Sequence, residues 1–294
     1  MAIKKSKGEI IFSIVNVIVL FIIMMVTLLP MLHVAMSSFS DPSMLLRTKG
    51  LILWPKGFST QAYKMVASNP NIFSGYRVTI LVVVLGTLLS VAMTSLGAYV
   101  LSRKNLMWHG FISKLIIITM FFSGGMIPFY LVVNNILHLG DNIFALILPM
   151  LISQWNLMVM RTSFAQIPES LIESAQIDGA NDFIILIKIV IPTSMAIIAV
   201  MMLFYGVSYW NSWFNAVLFI RKRDLYPLQL ILREILIVNA SDTMMQSVSA
   251  GDKIAVSESI KYSTIVIATV PILFAYPFLQ KYFVKGILVG SVKG

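Results

Sequence analysis

The chain has 294 residues, of which 58% are hydrophobic and only 12% charged, with a mean hydropathy of +0.89 and a formal charge of +10. Soluble domains carry roughly 25% charged residues, so this composition excludes a water-soluble core of such size. Cysteine is absent, which removes disulfides and thiolate metal sites, and the basic residues flank apolar runs without interleaved aromatics, marking lipid-headgroup anchors and no nucleic-acid surface.

At about 20 residues per span, six helices and their loops fill the chain. The expected fold class is all-α: a polytopic membrane protein forming one transmembrane domain over 1–294. Lys4, Lys5 and Lys7 precede an apolar run over 10–32. That run exceeds the ~7–15 apolar residues of a signal peptide and predicts a retained first span entering from the cytoplasm. His33, just past Pro30, reads as an interfacial polar residue. Residues 37–76 predict an extracytoplasmic segment, with Asp41-Pro42, Trp54-Pro55 and Asn69-Pro70 as turn signals. Its Trp54, Phe58 and Tyr63 suit either a partner protein or an interfacial aromatic belt.

The second span is expected over 78–101. Gly86, Ser90, Thr94 and Ala98 recur along it every four residues, a stripe of small side chains that predicts close approach of another helix. Arg103, Lys104, His109 and Lys114 mark a short cytoplasmic turn before a third span over 111–133, whose middle is broken by Gly124-Gly125 and Pro128. Broken backbone at membrane depth is tolerated where protein buries it or a cavity adjoins it. A loop from Asn134 to Asn142, with His138 but no lysine or arginine, leads to a fourth span over 143–160 with Gln154-Trp155-Asn156 near its centre.

Residues 167–192, IPESLIESAQIDGANDFIILIKIVIP, interrupt the apolar sequence with a patterned mixture of acids, glycine and apolar residues. Glu169, Glu173 and Gln176 share one helical face, and Ile167, Leu171 and Ala175 another. Gly179 follows where a left-handed stop belongs, and Asn181 or Asp182 can cap a second helix near Phe183. A helix, a glycine turn and a helix running into a span make a bracket on one membrane surface. The fifth span is then expected over 193–215, with Tyr205, Tyr209, Trp210, Asn211 and Trp213. A long outer segment over 220–260 begins with Arg221-Lys222-Arg223 and Tyr226-Pro227, and the last span, over 262–284, holds Pro271 and Pro277. Basic residues divide evenly between the two sides of this topology; the short loops and first helix favour cytoplasmic N- and C-termini.

Glu173-Ser174-Ala175, Gly179 and Ile189-Val190-Ile191-Pro192 resemble the signature of permease subunits of binding-protein-dependent ABC importers: E-A-A, a glycine four residues on, then nine residues and I-x-L-P. All spacings match; serine replaces the first alanine and isoleucine the leucine. Asp178-Gly179-Ala180 is similar to the carbohydrate-uptake branch, and Ser123-Gly124-Gly125-Met126-Ile127-Pro128-Phe129-Tyr130 resembles a sub-branch associated with complex polysaccharide fragments. The resemblance implies a bacterial inner-membrane permease whose bracket docks on a cytoplasmic ATPase through Glu173, Ser174, Ala175, Asp178, Gly179, Ala180 and Pro192. It further implies a second homologous permease, two ATPase subunits that hold ATP and Mg²⁺, an extracytoplasmic solute-binding protein meeting the loop after the fifth span, and no cofactor in this chain. The tail Lys285–Gly294 is similar to tails that reach into the ATPase dimer, and equally suits a membrane-surface tail.

No Asp, Glu, Lys or Arg lies deep in any expected span, which argues against proton-coupled transport. No G-x-x-x-x-G-K-[ST] loop is present and three scattered histidines form neither a nucleophile–base pair nor a metal cluster, so neither ATP hydrolysis nor other catalysis is expected here. Sugar rings stack on aromatic faces and hydrogen-bond to amides, making Gln154, Trp155 and Asn156 the first substrate candidates and Tyr209, Trp210 and Asn211 the second. The competing expectations are an ABC permease for a non-sugar solute and a non-energised channel or scaffold.

Overall fold

Long runs of Leu, Ile, Val and Phe without an intervening charge leave the backbone one way to satisfy its own hydrogen bonds in lipid, and the chain is accordingly helical. The computed structural model describes residues 6–103, 106–237 and 253–291, by backbone alone at 275, 276 and 278–291. Lys4, Lys5, Lys104, part of the outer segment over 220–260 and the last three residues of the tail lie outside the described residues. In chain order the helices are α1 (Lys7–Ser38), α2 (Pro42–Arg47), α3 (Gln61–Ala67), α4 (Pro70–Ser102), α5 (His109–Phe121), α6 (Met126–Leu131), α7 (Phe144–Ile147), α8 (Gln154–Phe164), α9 (Glu169–Ile177), α10 (Asp182–Ile185), α11 (Ile191–Thr193), α12 (Met195–Trp210), α13 (Phe214–Phe219), α14 (Leu228–Ile237) and α15 (Lys253–Ser291). The described residues include no β-strand beyond an isolated bridge between Ser40 and Phe58.

Three helices are long and apolar enough to cross a membrane among the described residues, namely α1, α4 and the Lys253–Phe274 part of α15. The count reaches six if each of three bent pairs is one span: His109–Phe121 with Met126–Ile136, Phe144–Met150 with Gln154–Phe164, and Asp182–Thr193 with Met195–Trp210, bent by 110°, 52° and 88°. The first bend falls at the glycine pair, where Gly125 takes φ +85°. Only the loss of Cβ makes that backbone inexpensive. The second bend follows Pro149, which cannot donate to the carbonyl four residues back.

The backbone divides into two compact units, one comprising Met1–Pro70 with Leu232–Val270 and the other Asn71–Ile231 with Pro271–Gly294. In the first unit, α1 starts with a capping box in which Ser6 and Glu9 satisfy each other's backbone N–H. Its apolar side chains from Ile10 to Met31 are almost all exposed, as lipid-facing residues are. At its end the Ser38 hydroxyl meets Tyr63 Oη at 2.7 Å, and His33 Nδ1 accepts the Ile52 N–H at 2.9 Å. His33 thus holds the loop after α1, while Trp54 and Phe58 remain exposed. Asp41 caps α2, and its hydrogen bond from the Ser43 hydroxyl holds its carboxyl below the usual carboxylate range.

In the second unit, the small-residue stripe of α4 packs against α12. A Cβ on Gly86 would lie 2.7 Å from the Tyr209 ring, Ser90 Oγ meets Tyr209 Oη at 2.9 Å, and Thr94 Oγ1 meets Tyr205 Oη at 2.7 Å. Asp141, in the loop before α7, accepts the backbone N–H groups of Arg221 and Lys222, which hold its carboxyl below the usual range. Gly86→Ala should therefore lower apparent stability in detergent by about 1–3 kcal/mol through overpacking. Gly110→Ala, with nothing within 4 Å of the added carbon, should be neutral; thermal unfolding of the two purified variants distinguishes them.

Candidate functional site

The bracket is built from two capped helices. In α9, Ile172 and Ala175 turn inward to the apolar cluster that also holds Phe164, Ile185, Leu186 and Val190. Leu171, expected on that face, is exposed instead, because the nine-residue helix buries a single i, i+3 pair. The helix ends in a Schellman motif: the Ala180 N–H bonds the Ala175 carbonyl at 2.9 Å, the Gly179 N–H bonds the Gln176 carbonyl at 3.0 Å, and Gly179 takes φ +80°. Asn181 then starts the next helix, its side chain accepting the Ile184 N–H at 2.9 Å. Glu173, Ser174, Gln176, Ile177, Asp178 and Gly179 stay exposed. Ile177, at the tip, is 86% exposed, an apolar knob presented outward.

Past the turn, α10 continues through a π-helical segment, Leu186–Val190, into α11. Pro192 has no N–H, and the widened turn places the Ile191 N–H on the Leu186 carbonyl. The Thr193 hydroxyl donates to the Ile189 carbonyl at 2.6 Å. At Ser194 the chain bends by 88° into α12, so the second arm of the bracket runs unbroken to the foot of a span. Tyr99 Oη, near the end of α4, donates to Asp182 Oδ1 at 2.8 Å and ties that arm to a second span.

A cavity of about 630 Å³ opens at the break between α7 and α8, within the ~300–1,000 Å³ typical of small-ligand sites. Its polar lining is Ser153, Gln154, Asn156, Tyr205, Ser208 and Tyr209, with Met150, Ile152 and Phe204 among the apolar residues. The tyrosines repair the broken backbone: Tyr209 Oη donates to the Ile147 carbonyl at 3.2 Å and the Ser153 N–H donates to Tyr205 Oη at 3.0 Å. Ser153 also caps α8, accepting the Asn156 N–H. The first turn of α8 therefore faces an open, mainly apolar chamber with a cluster of polar groups in its lining.

Of the substrate candidates, Gln154, Asn156 and Tyr209 meet in this chamber, whereas Trp155, Trp210 and Asn211 do not line it. Trp155 is 62% exposed, Trp210 lines a separate apolar cavity of about 540 Å³ with Met202 and Gly206, and the Asn211 amide is engaged with the Val207 carbonyl. The span containing residues 154–156 is not continuous: these residues begin its second half. Ser153, Tyr205 and Ser208 also line the chamber, beyond the residues expected from sequence. Pro149 followed by Ser153, a proline break and a helix cap, is the sequence signal that points to the first of them. Tyr205→Phe and Tyr209→Phe should each destabilise the purified protein by about 1–3 kcal/mol by stranding buried polar groups, while Trp155→Phe should leave stability unchanged. Urea unfolding in detergent measures all three.

No family model matches the chain. The polygalacturonan/rhamnogalacturonan transport system permease protein YtcP of Bacillus subtilis (strain 168) is 42% identical over 270 residues, covering 92% of this chain and 94% of that protein. Protein LplC of the same organism is 39% identical over 294 residues, covering 98% and 97%. The arabinooligosaccharides transport system permease protein AraQ of Bacillus subtilis is 26% identical over 290 residues, covering 96% and 98%. A crystal structure of a bacterial ABC transporter involved in the import of the acidic polysaccharide alginate contains a chain that superposes with a TM-score of 0.85 at 30% identity, covering 96% of this chain and 100% of that one. Permease subunits of ABC importers are generally non-catalytic, and work with a partner permease, ATPase subunits and a binding protein. With its bracket, its long apolar helices and 42% identity to such a relative along nearly its whole length, the chain belongs to the permease subunits of ABC sugar importers.

Proposed function

We propose that this permease carries an acidic oligosaccharide through the chamber at the break between α7 and α8. The observation that carries the reading is the coincidence there of a helix N-terminus with amide and hydroxyl groups, from Gln154, Asn156, Ser153 and Ser208. Amides and hydroxyls suit sugar hydroxyls, and the positive end of an eleven-residue helix favours a carboxylate. The structural neighbour comes from an importer of the acidic polysaccharide alginate, and one relative is named for polygalacturonan/rhamnogalacturonan transport, which supports the same cargo class.

In this reading the chain pairs with a second homologous permease in the bacterial cell membrane, with both termini in the cytoplasm and one domain of six spans. Two ATPase subunits hold ATP and Mg²⁺, and an extracytoplasmic binding protein delivers the sugar. ATP closes the ATPase dimer, and the bracket, gripped at Glu173, Ser174, Ala175, Asp178, Gly179 and Ala180, moves as a unit. Pro192 and the bend after it transmit that movement to α12, which helps line the chamber. Each access state is favoured by its own contacts, as two-state coupling requires.

Reconstitution with the partner subunits tests the cargo. Oligogalacturonate-loaded binding protein should raise ATP hydrolysis and drive uptake, and neutral arabino-oligosaccharides should do neither; stimulation by the neutral sugars alone would overturn the assignment. Gly179→Val tests the bracket. A β-branched residue at φ +80° is strained by about 1–2 kcal/mol with no steric neighbour to blame. Uptake per ATP hydrolysed should fall roughly tenfold, and Gly179→Asn, which tolerates that backbone, should keep most of it.

A further inference from the structure

A third cavity, of about 510 Å³, lies between the end of α4 and the second arm of the bracket. It is amphipathic in a way that the transport reading does not use. One wall is apolar, formed by Leu96, Val100, Phe183 and Leu186; the other carries Arg103, Asp182 and Gln176. The Tyr99 ring organises the charges. The Arg103 guanidinium carbon sits 4.7 Å above its centroid, and its hydroxyl bonds Asp182 Oδ1 at 2.8 Å.

These charges are held apart and incompletely used. Among the described residues Arg103 makes no ion pair, and its Nε is buried without a hydrogen-bond partner. Asp182 is exposed, with Oδ1 bonded to Tyr99 Oη and Oδ2 without a protein partner among the described residues. The half-exposed guanidinium fork of Arg103 is shaped for a phosphate. Asp182 would repel a purely anionic ligand but would bind an ammonium. The complementary ligand is a zwitterion with a phosphate and a primary ammonium a few bonds apart. The apolar wall adds a chain: Leu96 and Val100, near the end of a 33-residue helix long enough to cross a bilayer, are 39% and 47% exposed, and Phe183, on α10, is 61% exposed. Helix ends of that kind lie at headgroup depth.

We propose that this cavity binds a phosphatidylethanolamine molecule. Its phosphate sits on Arg103, its ammonium on Asp182 Oδ2, and an acyl chain runs along Leu96, Val100 and Phe183. The shared chemistry is phosphoethanolamine, and the apolar wall assigns it to the lipid and not to the free metabolite. Bound there, the lipid would bridge a span and the bracket through Gln176 and Asp182.

Native mass spectrometry of the full chain, released from micelles doped with one lipid at a time, reads the site directly. The wild type should retain one phosphatidylethanolamine roughly tenfold more tightly than phosphatidylcholine, whose methylated ammonium has no N–H to donate, or phosphatidylglycerol, which lacks the cation. Arg103→Gln and Asp182→Asn should each abolish that preference, and Val100→Trp, which blocks the apolar wall, should lower retention of the lipid. Equal retention of the three lipids by the wild type would overturn the proposal without reference to any variant. Undiminished preference in both charge variants would also overturn it, as would stoichiometric displacement of the lipid by soluble phosphoethanolamine.

Discussion

A backbone group released from a helix at membrane depth has no water to turn to, and the hydroxyls of Tyr205 and Tyr209 meet that constraint here. The break between α7 and α8 frees the Ile147 carbonyl and the Ser153 N–H, and each finds one of these hydroxyls. The same hydroxyls are held by Thr94 and Ser90. One network therefore closes the broken span, fixes α12 against α4 and leaves the adjoining space open. Gly86 belongs to it as well, since any side chain there would enter the Tyr209 ring. The tyrosines satisfy the backbone groups freed at the break without filling the chamber beside it.

The bracket solves the opposite problem. It lies where groups can be left exposed, so its rigidity comes from capping: a Schellman turn at Gly179, an Asn181 cap, and a second arm that continues through a π-helical segment to the bend at Ser194. Its inner face is small, Ile172 and Ala175, and its outward face ends in an exposed isoleucine. In the proposed coupling role such a body would move as a whole when its outer face is gripped, and the Tyr99–Asp182 hydrogen bond would tie that motion to α4 as well as to α12. A lipid headgroup seated between Arg103 and Asp182 would place the surrounding bilayer in the same linkage.

Much of this organisation is visible in the residues themselves, because local patterning carries it. Apolar runs of span length, the small-residue stripe from Gly86 to Ala98, the glycine pair at the third span and the spacing from Glu173 to Pro192 each state a backbone requirement that few other residues would meet. Composition excluded a soluble fold, and helix-capping chemistry at Gly179 and Asn181 located the bracket turn. What the amino-acid order did not decide was which polar side chains would share a space. Gln154, Trp155 and Asn156 are consecutive, yet successive helical residues point about 100° apart, so two line the chamber and the tryptophan faces outward. Ser153, Tyr205 and Ser208 join the site across roughly fifty residues of sequence, because a bend and a helix packing bring them there. Arg103 and Asp182 meet across one tyrosine ring for the same reason. Sequence determined the elements and their caps, since these depend on neighbours three to five residues away. Tertiary packing decided the sites, since these depend on which distant partners satisfy the groups that the breaks leave free.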